Sequence, residues 1–203
     1  MRKLFMGVLF GLAIAASFAT SALAQGHAID HARGGIGFRS SDAPIGIRWW
    51  LSDMIGVDAG VGYTSEKIAG IGTDPVTGNP TDETFTSFSA DVGVPIRLKS
   101  WENVHFLFRP GFTYTSADDI SFFLATDLKE KRNDYSVTGE LEVEYFMAKN
   151  ASISASHGFG FASSKLDVSG SDADTIFGTF GSNFTTLGFH VYLWAPAAAS
   201  AGE

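Results

Sequence analysis

The chain has 203 residues, with 22 acidic and 14 basic side chains, a formal net charge of −8 and no cysteine. An acidic chain of this kind lacks the basic surface that binds a phosphate backbone, so we exclude nucleic acid as a partner. The absence of cysteine excludes a disulfide framework and a thiolate metal site, and we expect no cofactor.

The N-terminal residues have the pattern of a secretory signal peptide. Arg2 and Lys3 form a basic start, residues 4–16 are apolar, and Ala22 and Ala24 occupy the small-residue positions of a cleavage site. We predict a signal peptide at residues 1–24, a barrel at residues 25–194 and a short periplasmic tail at residues 195–203. A retained membrane helix fits less well, because the apolar run is shorter than the roughly 20 residues that span a bilayer.

The rest of the chain alternates between apolar and polar residues with a period of two, which is typical of strands with two different faces. The clearest case is residues 54–63, where odd-numbered positions are apolar or aromatic and even-numbered positions from 56 onward are glycine or aspartate. The same alternation predicts eight strands, at residues 32–39, 45–51, 54–63, 88–98, 104–114, 135–147, 151–161 and 187–194.

The predicted connections alternate in length. The short ones are at residues 52–53, 99–103 and 148–150, the long polar ones are at 65–83, 116–133 and 163–182, and the first link, 40–44, is short where a long one is expected. Outer-membrane barrels have short periplasmic turns and longer extracellular loops. We therefore predict an all-β fold, an eight-stranded antiparallel up-and-down transmembrane β-barrel with both chain ends in the periplasm.

The second face of the strands distinguishes a membrane barrel from a soluble one. It is rich in glycine, serine and threonine, which suits the narrow lumen of a closed eight-stranded barrel. A soluble periplasmic carrier of the lipocalin type would turn its apolar face inward, and we keep it as the third alternative. Aromatic residues near the strand ends predict girdles at the membrane interfaces. The predicted girdle residues are Trp49, Tyr63, Tyr114, Tyr145, Tyr192 and Trp194.

The strand count, the alternation and the segment at residues 45–63 resemble the small outer-membrane β-barrel family, which includes the membrane domain of outer membrane protein A and outer membrane protein X. The run from Phe189 to Trp194 is similar to the last strand of that family, which is read by the barrel assembly machinery. We therefore expect a monomer in the outer membrane of a Gram-negative bacterium, in contact with lipid and lipopolysaccharide. The tail at residues 195–203 departs from the family pattern, because it follows the terminal aromatic residue.

If the apolar faces meet lipid, the charged residues within the strands face the lumen, where isolated charges are costly and pairs are tolerated. Counting from the turns places Arg48 beside Asp58, and Arg109 near Glu142. We predict a salt-bridge network that plugs the lumen, with a small-solute pore along the same residues as the alternative. The predicted network has five bases, Arg33, Arg39, Arg48, Arg97 and Arg109, and five acids, Asp58, Asp91, Glu140, Glu142 and Glu144.

Candidate catalytic and metal-binding groups are sparse. Ser156 and His157 are adjacent, so on a strand they point to opposite faces and cannot form a Ser–His pair. The same alternation places His157 outside the barrel and His105 and His190 in the lumen, where we expect them to form hydrogen bonds. We therefore expect no enzymatic activity and no metal site, and keep a lipid-modifying outer-membrane enzyme as an alternative alongside the pore.

The long loops are the expected functional surface. In the connection at residues 116–133, Phe122 and Phe123 precede a basic cluster. Its members are Lys129, Lys131 and Arg132. The cluster is the candidate contact for a surface partner or for lipopolysaccharide phosphates; the alternative is that the strands simply extend past the membrane. We predict a structural or adhesin-like role, exerted through the loops.

Overall fold

A computed structural model describes residues 33–38, 43–74, 76–120, 129–167, 173–179 and 185–194. The predicted signal peptide, the C-terminal tail, Arg39, Phe122 and Phe123 lie outside these ranges. The strands are β1 (Gly34–Phe38), β2 (Ile45–Trp50), β3 (Gly56–Thr73), β4 (Pro80–Gly93), β5 (Ile96–Trp101), β6 (Val104–Ile120), β7 (Lys129–Ala148), β8 (Ala151–Leu166), β9 (Asp174–Gly178) and β10 (Thr185–Trp194). Within the described ranges, no helix is long and apolar enough to cross a membrane.

The ten strand segments form one closed antiparallel barrel with eight strand positions around its circumference, and we call each position a stave. β5 continues β4 beyond an irregularity at residues 94–95, since both pair with β6. β9 and β10 form one interrupted stave, because both pair with β8, Gly178 opposite Gly160 and Thr185 opposite His157. β10 also pairs with β1, which closes the barrel. The predicted fold and strand number are therefore confirmed.

The strands are longer than the sequence predicts. β3 has 18 residues, β6 has 17 and β7 has 20, and β6 and β7 stay paired as far as Ile120 opposite Lys129. Most of the residues predicted as loops at 65–83 and 116–133 are thus paired strand, which favours the alternative that the strands continue beyond the predicted spans. The apolar alternation ends where lipid contact ends, whereas backbone pairing needs no apolar side chains and continues.

The barrel is apolar outside and polar inside. On β7, Leu141 is 53% exposed and Val143 is exposed, whereas Glu140, Glu142 and Glu144 between and beside them are buried. The outward positions on β7 from Tyr135 to Met147 are apolar or aromatic except for Gly139, a run slightly longer than the roughly 9–11 residues with which a tilted strand crosses a bilayer. A soluble carrier has the opposite arrangement, so that alternative is wrong.

The hairpin between β3 and β4 has a tightly bonded tip. The Asp74 carboxylate accepts hydrogen bonds from the N–H groups of Val76, at 2.7 Å, and Thr77, at 3.0 Å. Gly78 follows with φ 70°, a left-handed conformation that glycine adopts without steric cost. The two backbone donors, Thr77 first, hold the pKa of Asp74 below its ordinary value of 3.8.

We predict that Leu141→Arg destabilises the folded barrel in lipid by about 2–4 kcal/mol, because a charge near the bilayer midplane loses its hydration. Urea unfolding in lipid vesicles would measure this change. Val76→Arg at the hairpin tip, where Val76 is 90% exposed, is the matched control and should have little effect. Equal effects of the two substitutions would contradict the membrane-facing assignment of β7.

We predict that the β3–β4 tip loosens only in strong acid. A carboxylate with a lowered folded pKa stabilises the folded form above its unfolded pKa, and this contribution is lost as the pH falls through the folded value. The amide resonances of Val76 and Thr77 should therefore shift below about pH 3.8. Asp74→Asn, which keeps the acceptor oxygen but cannot titrate, should abolish this transition. A midpoint above pH 3.8 in the unsubstituted protein would count against the assigned bonds.

Candidate functional site

The lumen is filled in layers between two different ends of the barrel. We call the end with the short connections at residues 51–55, 102–103 and 149–150 the turn end, and the end with the β3–β4 and β6–β7 hairpins the hairpin end. Because β-strand side chains alternate, each stave sends every second residue into this interior. An apolar layer lies near the turn end, a charged layer lies above it, and a hydroxyl-rich mouth opens at the hairpin end.

The apolar layer was not predicted from the sequence. Trp50, Leu107, Phe146 and Tyr192 form one buried cluster, in which the ring centroids of Phe146 and Tyr192 are 5.5 Å apart. The Arg97 guanidinium lies 4.2 Å from the centroid of the Trp50 ring, so this predicted member of the charge network covers the cluster at the turn end. The cluster fills the lumen with side chains that offer water few polar partners.

Arg48 is the centre of the first half of the charged layer and is fully buried. Its guanidinium donates to both carboxylate oxygens of Glu142, at 2.8 and 3.0 Å, and to Asp58 at 2.9 Å. Glu144 lies 3.4 Å from the same guanidinium. The contact with Asp58 confirms the pairing expected between β2 and β3, whereas the bidentate bond to Glu142 crosses the lumen from β2 to β7.

Arg109 is the centre of the second half. Its Nε donates to both oxygens of Asp58, at 2.8 and 3.0 Å, and its Nη atoms contact Asp58, Asp91 and Glu140. Asp58 therefore bridges the two buried arginines. A Cβ atom on Gly93 would overlap the Arg109 guanidinium, so the glycine on the inner face makes room for this large side chain.

Two details of the predicted network are wrong. Arg109 lies opposite Glu140 rather than Glu142, a shift of two residues from the symmetric register that the sequence count assumed. Arg33 is exposed immediately before β1 and is not a lumen residue. Among the described residues, the charged layer thus contains two fully buried arginines facing a larger number of carboxylates, instead of equal numbers of the two signs.

Hydroxyl groups donate further hydrogen bonds to the carboxylates in the lumen. Glu144 accepts hydrogen bonds from Ser152 at 2.6 Å and from the Tyr192 hydroxyl at 2.7 Å. Glu140 accepts them from Ser156 at 2.6 Å and Thr138 at 3.1 Å. The described residues contain no group of three or more His, Cys, Asp or Glu side chains that could hold a metal ion.

The histidines occupy the faces expected from strand alternation. His105 and His190 are buried in the lumen, and His190 Nδ1 lies 3.8 Å from Glu144. His157 is exposed on the outer face, where its Nδ1 is 2.6 Å from the hydroxyl of Thr185 on the neighbouring stave. This contact is not predictable from the alternation, because Thr185 precedes the predicted last strand.

Most predicted girdle residues lie on the outer surface. Trp49 and Trp194 are both exposed and their rings are 5.6 Å apart, while Tyr63 and Tyr145 are also exposed and Tyr114 is half-buried. Tyr192 was placed in the girdle incorrectly. It is only 2% exposed, in the apolar layer, and a register shift between Gly34 and Gly35 turns Trp194 outward instead.

The basic cluster at the hairpin end is divided between two faces. Lys131 is exposed on the outer face of β7, and Lys129 is the first residue of that strand. Arg132 lies on the inner face, where it donates to Asp119 at 2.8 Å and to Asp134 at 3.1 Å. Lys131 and Arg132 therefore do not share one basic surface.

A closed sheet with an apolar outer belt and a charged lumen is suited to hydrocarbon, because backbone groups in lipid must be paired within the protein, and the pairing of β1 with β10 joins the first strand to the last. The fold is that of the small outer-membrane β-barrels. No protein-family model and no curated protein sequence matches the chain.

Solved structures of Ail, the attachment invasion locus protein of Yersinia pestis, are similar in fold to this small barrel. One, in complex with the heparin analogue sucrose octasulfate, is 18% identical over 78% of this chain and 94% of its own, with a TM-score of 0.38. Another structure of Ail is 16% identical over 78% of this chain and 92% of its own, with a TM-score of 0.36. Values this low describe a likeness in fold and nothing about function.

We predict that Arg109→Met destabilises the barrel by about 3–5 kcal/mol, since it leaves buried carboxylates without their common counter-charge. Urea unfolding followed by gel migration would measure the change. Arg132→Met, which removes a guanidinium that is 41% exposed, is the control and should cost at most about 1 kcal/mol. A smaller loss for Arg109→Met than for Arg132→Met would show that the network is not the main stabilising contact of the lumen.

Proposed function

We propose that the chain is an outer-membrane protein of a Gram-negative bacterium, whose closed barrel anchors protruding hairpins that act as an adhesin-like contact surface. The observation that carries this proposal is that the strands continue at the hairpin end well beyond the length that a bilayer requires. β7 has 20 residues, about 66 Å at roughly 3.3 Å per residue, whereas about 9–11 residues cross the bilayer. The residues in excess of the span form paired sheet at the hairpin end, and this ordered sheet supports the proposed role as a contact surface.

Bonds across the protruding part support its use as a rigid surface. The backbone N–H and the hydroxyl of Thr86 on β4 both donate to Asp118 on β6, at 2.8 and 2.7 Å. These bonds join the β3–β4 hairpin to the β6–β7 hairpin. A surface that is already ordered loses less conformational entropy when a partner binds.

The edge of β3 is the part of this surface that fits a protein partner. β2 pairs with β3 only as far as Ile45 opposite Val61, and beyond that point β3 pairs only with β4 among the described residues. An exposed strand edge binds an extended segment of another chain through backbone hydrogen bonds. Lys67 and the register shift between Ile68 and Gly72 limit indiscriminate pairing along the same edge.

We also propose that the barrel is a monomer that is neither a pore nor an enzyme, and that the barrel assembly machinery inserts it through the last strand. The apolar and charged layers support a plugged lumen, since an eight-stranded interior is just wide enough for its own side chains. His157 and Thr185 are in contact on the outer face, but neither contacts a carboxylate among the described residues, and a hydrolytic dyad needs such an orienting group. Exposed lysines above the apolar belt, such as Lys131, are suited to lipopolysaccharide phosphates.

We predict that the purified barrel in planar lipid bilayers gives no stable conductance steps, because buried side chains occupy the narrow lumen of an eight-stranded barrel. Single-channel recording at two salt concentrations would test this. Stable, salt-dependent conductance in the nanosiemens range would contradict the plug and favour the pore. Recordings from an empty detergent preparation serve as the control.

We predict that trimming the β3–β4 hairpin abolishes adherence of cells that display the barrel. Replacing residues 67–84 by Asn-Gly lets the cross-strand pair Glu66 and Phe85 close a two-residue turn. Replacing residues 119–130 by Asn-Gly closes the β6–β7 pair Asp118 and Lys131 in the same way, and it leaves the β3 edge in place.

Adherence to an immobilised mixture of extracellular-matrix proteins is the measurement, with surface amounts matched by labelling. We expect loss of adherence in the first variant and retention of most of it in the second. If cells with the unsubstituted barrel adhere no better than cells without it, the adhesin-like role is wrong. If only the second variant fails to adhere, the β3 edge is not the contact.

A further inference from the structure

A cavity of about 200 Å³ lies in the mouth of the barrel at the hairpin end, between β6, β7, β8 and β9. Its lining includes the hydroxyl residues Thr113, Thr115, Ser136 and Ser164. Below it, Thr113 donates to Asp91 at 2.8 Å, and Asp91 contacts Arg109 of the charged layer. The floor is therefore the charged layer of the lumen, and the cavity faces the hairpin end.

The strand register arranges the polar groups in a row. Thr115 lies opposite Asp134, Asp134 opposite Ser164, and Ser164 opposite Asp174. Neighbouring strands are about 4.8 Å apart, so the row presents hydroxyl and carboxylate groups at that interval along one wall. A ligand with several hydroxyl groups on one ring can bond to successive members of such a row.

Asp134 has a hydrogen-bonding position that the described residues leave open. Its Oδ2 accepts from Arg132 Nε at 3.1 Å, whereas its Oδ1 is buried and accepts no hydrogen bond. A buried acceptor without a donor costs free energy, and a rotation of this carboxylate toward a donor group in the cavity would recover it. Arg132 also donates to Asp119, so its guanidinium lies beside the Asp134 carboxylate at the cavity wall.

The balance of charge and apolar surface limits the class of ligand. Asp119, Asp134 and Asp174 outnumber Arg132 here, which disfavours an anion. Ile176 adds apolar surface to the lining. The volume is below the roughly 300–1,000 Å³ of pockets for drug-sized molecules, which suits one small ring.

We propose that this cavity binds one ring of a neutral sugar, as a free monosaccharide or as the terminal residue of a glycan. Hydroxyl groups of the ring donate to Asp134 and Asp174 and accept from Arg132 and the serine and threonine hydroxyls, while its C–H face packs on Ile176. The site is separate from the β3 edge, so it neither requires nor replaces the proposed adherence surface.

The test uses the whole barrel in detergent micelles, titrated with the methyl pyranosides of glucose, galactose, mannose and N-acetylglucosamine and followed by amide shifts on β6, β7 and β8. We expect saturable binding of at least one neutral sugar, and shifts confined to the cavity strands. A trisaccharide with the same terminal sugar separates the two sources: comparable affinity indicates a glycan end, and loss of binding indicates a free monosaccharide. Glucuronate and 1,4-diaminobutane are the charged comparisons.

Two variants and one control complete the test. Asp134→Asn should weaken binding at least tenfold, and Ala162→Leu, which fills the cavity without removing a polar group, should abolish it. Asp82→Asn removes an equal charge from an exposed site that pairs with Lys67, and it should change nothing. The proposal is overturned if no neutral sugar saturates the site, if either charged compound binds more tightly, or if Asp82→Asn weakens binding as much as Asp134→Asn.

Discussion

Closure of the sheet is the constraint on which the rest of the structure depends. In hydrocarbon every backbone N–H and C=O group must be paired within the protein. The pairing of the first strand, β1, with the last, β10, meets this requirement where the sheet closes. Closure with eight staves also fixes a narrow lumen. The outer face can then be apolar, and the inner face must be filled by the protein's own side chains.

The narrow lumen explains why the interior is built around two arginines. Arg48 and Arg109 are long enough to cross from one wall to the other, and glycine at positions such as Gly93 gives them space. Asp58 contacts both guanidinium groups, so the charged layer is a single network instead of separate pairs. Buried charges are tolerable in this form, because each has several partners at hydrogen-bonding distance.

The sequence was sufficient for the parts of the fold that follow from local periodicity. Alternation predicted which face of each strand meets lipid, and it placed His105, His157 and His190 correctly. The adjacency of Arg48 and Asp58 was also predictable, because only a short turn separates their strands. These features depend on residue order along one or two neighbouring strands.

The features that sequence analysis missed depend on tertiary geometry. The bond between Arg48 and Glu142 joins residues 94 positions apart across the lumen, and no local pattern encodes it. The register shift in the β1–β10 pair turns Trp194 outward, whereas Tyr192 stays on the inner face with His190. The heights of the hairpins were underestimated because polar strands lack the apolar alternation by which strands are recognised.

The most direct test of the account compares two leucines at neighbouring positions of the barrel. Leu107 of β6 is fully buried in the apolar layer, and Leu141 of β7 is 53% exposed on the outer face. Their methyl resonances would be recorded in micelles with a spin-labelled fatty acid, and separately with a water-soluble gadolinium chelate. The account predicts that the fatty acid broadens Leu141 alone and that the chelate broadens neither residue. Broadening of Leu107 by the chelate would contradict the filled lumen, and broadening of Leu107 by the fatty acid would contradict the assignment of the inner and outer faces.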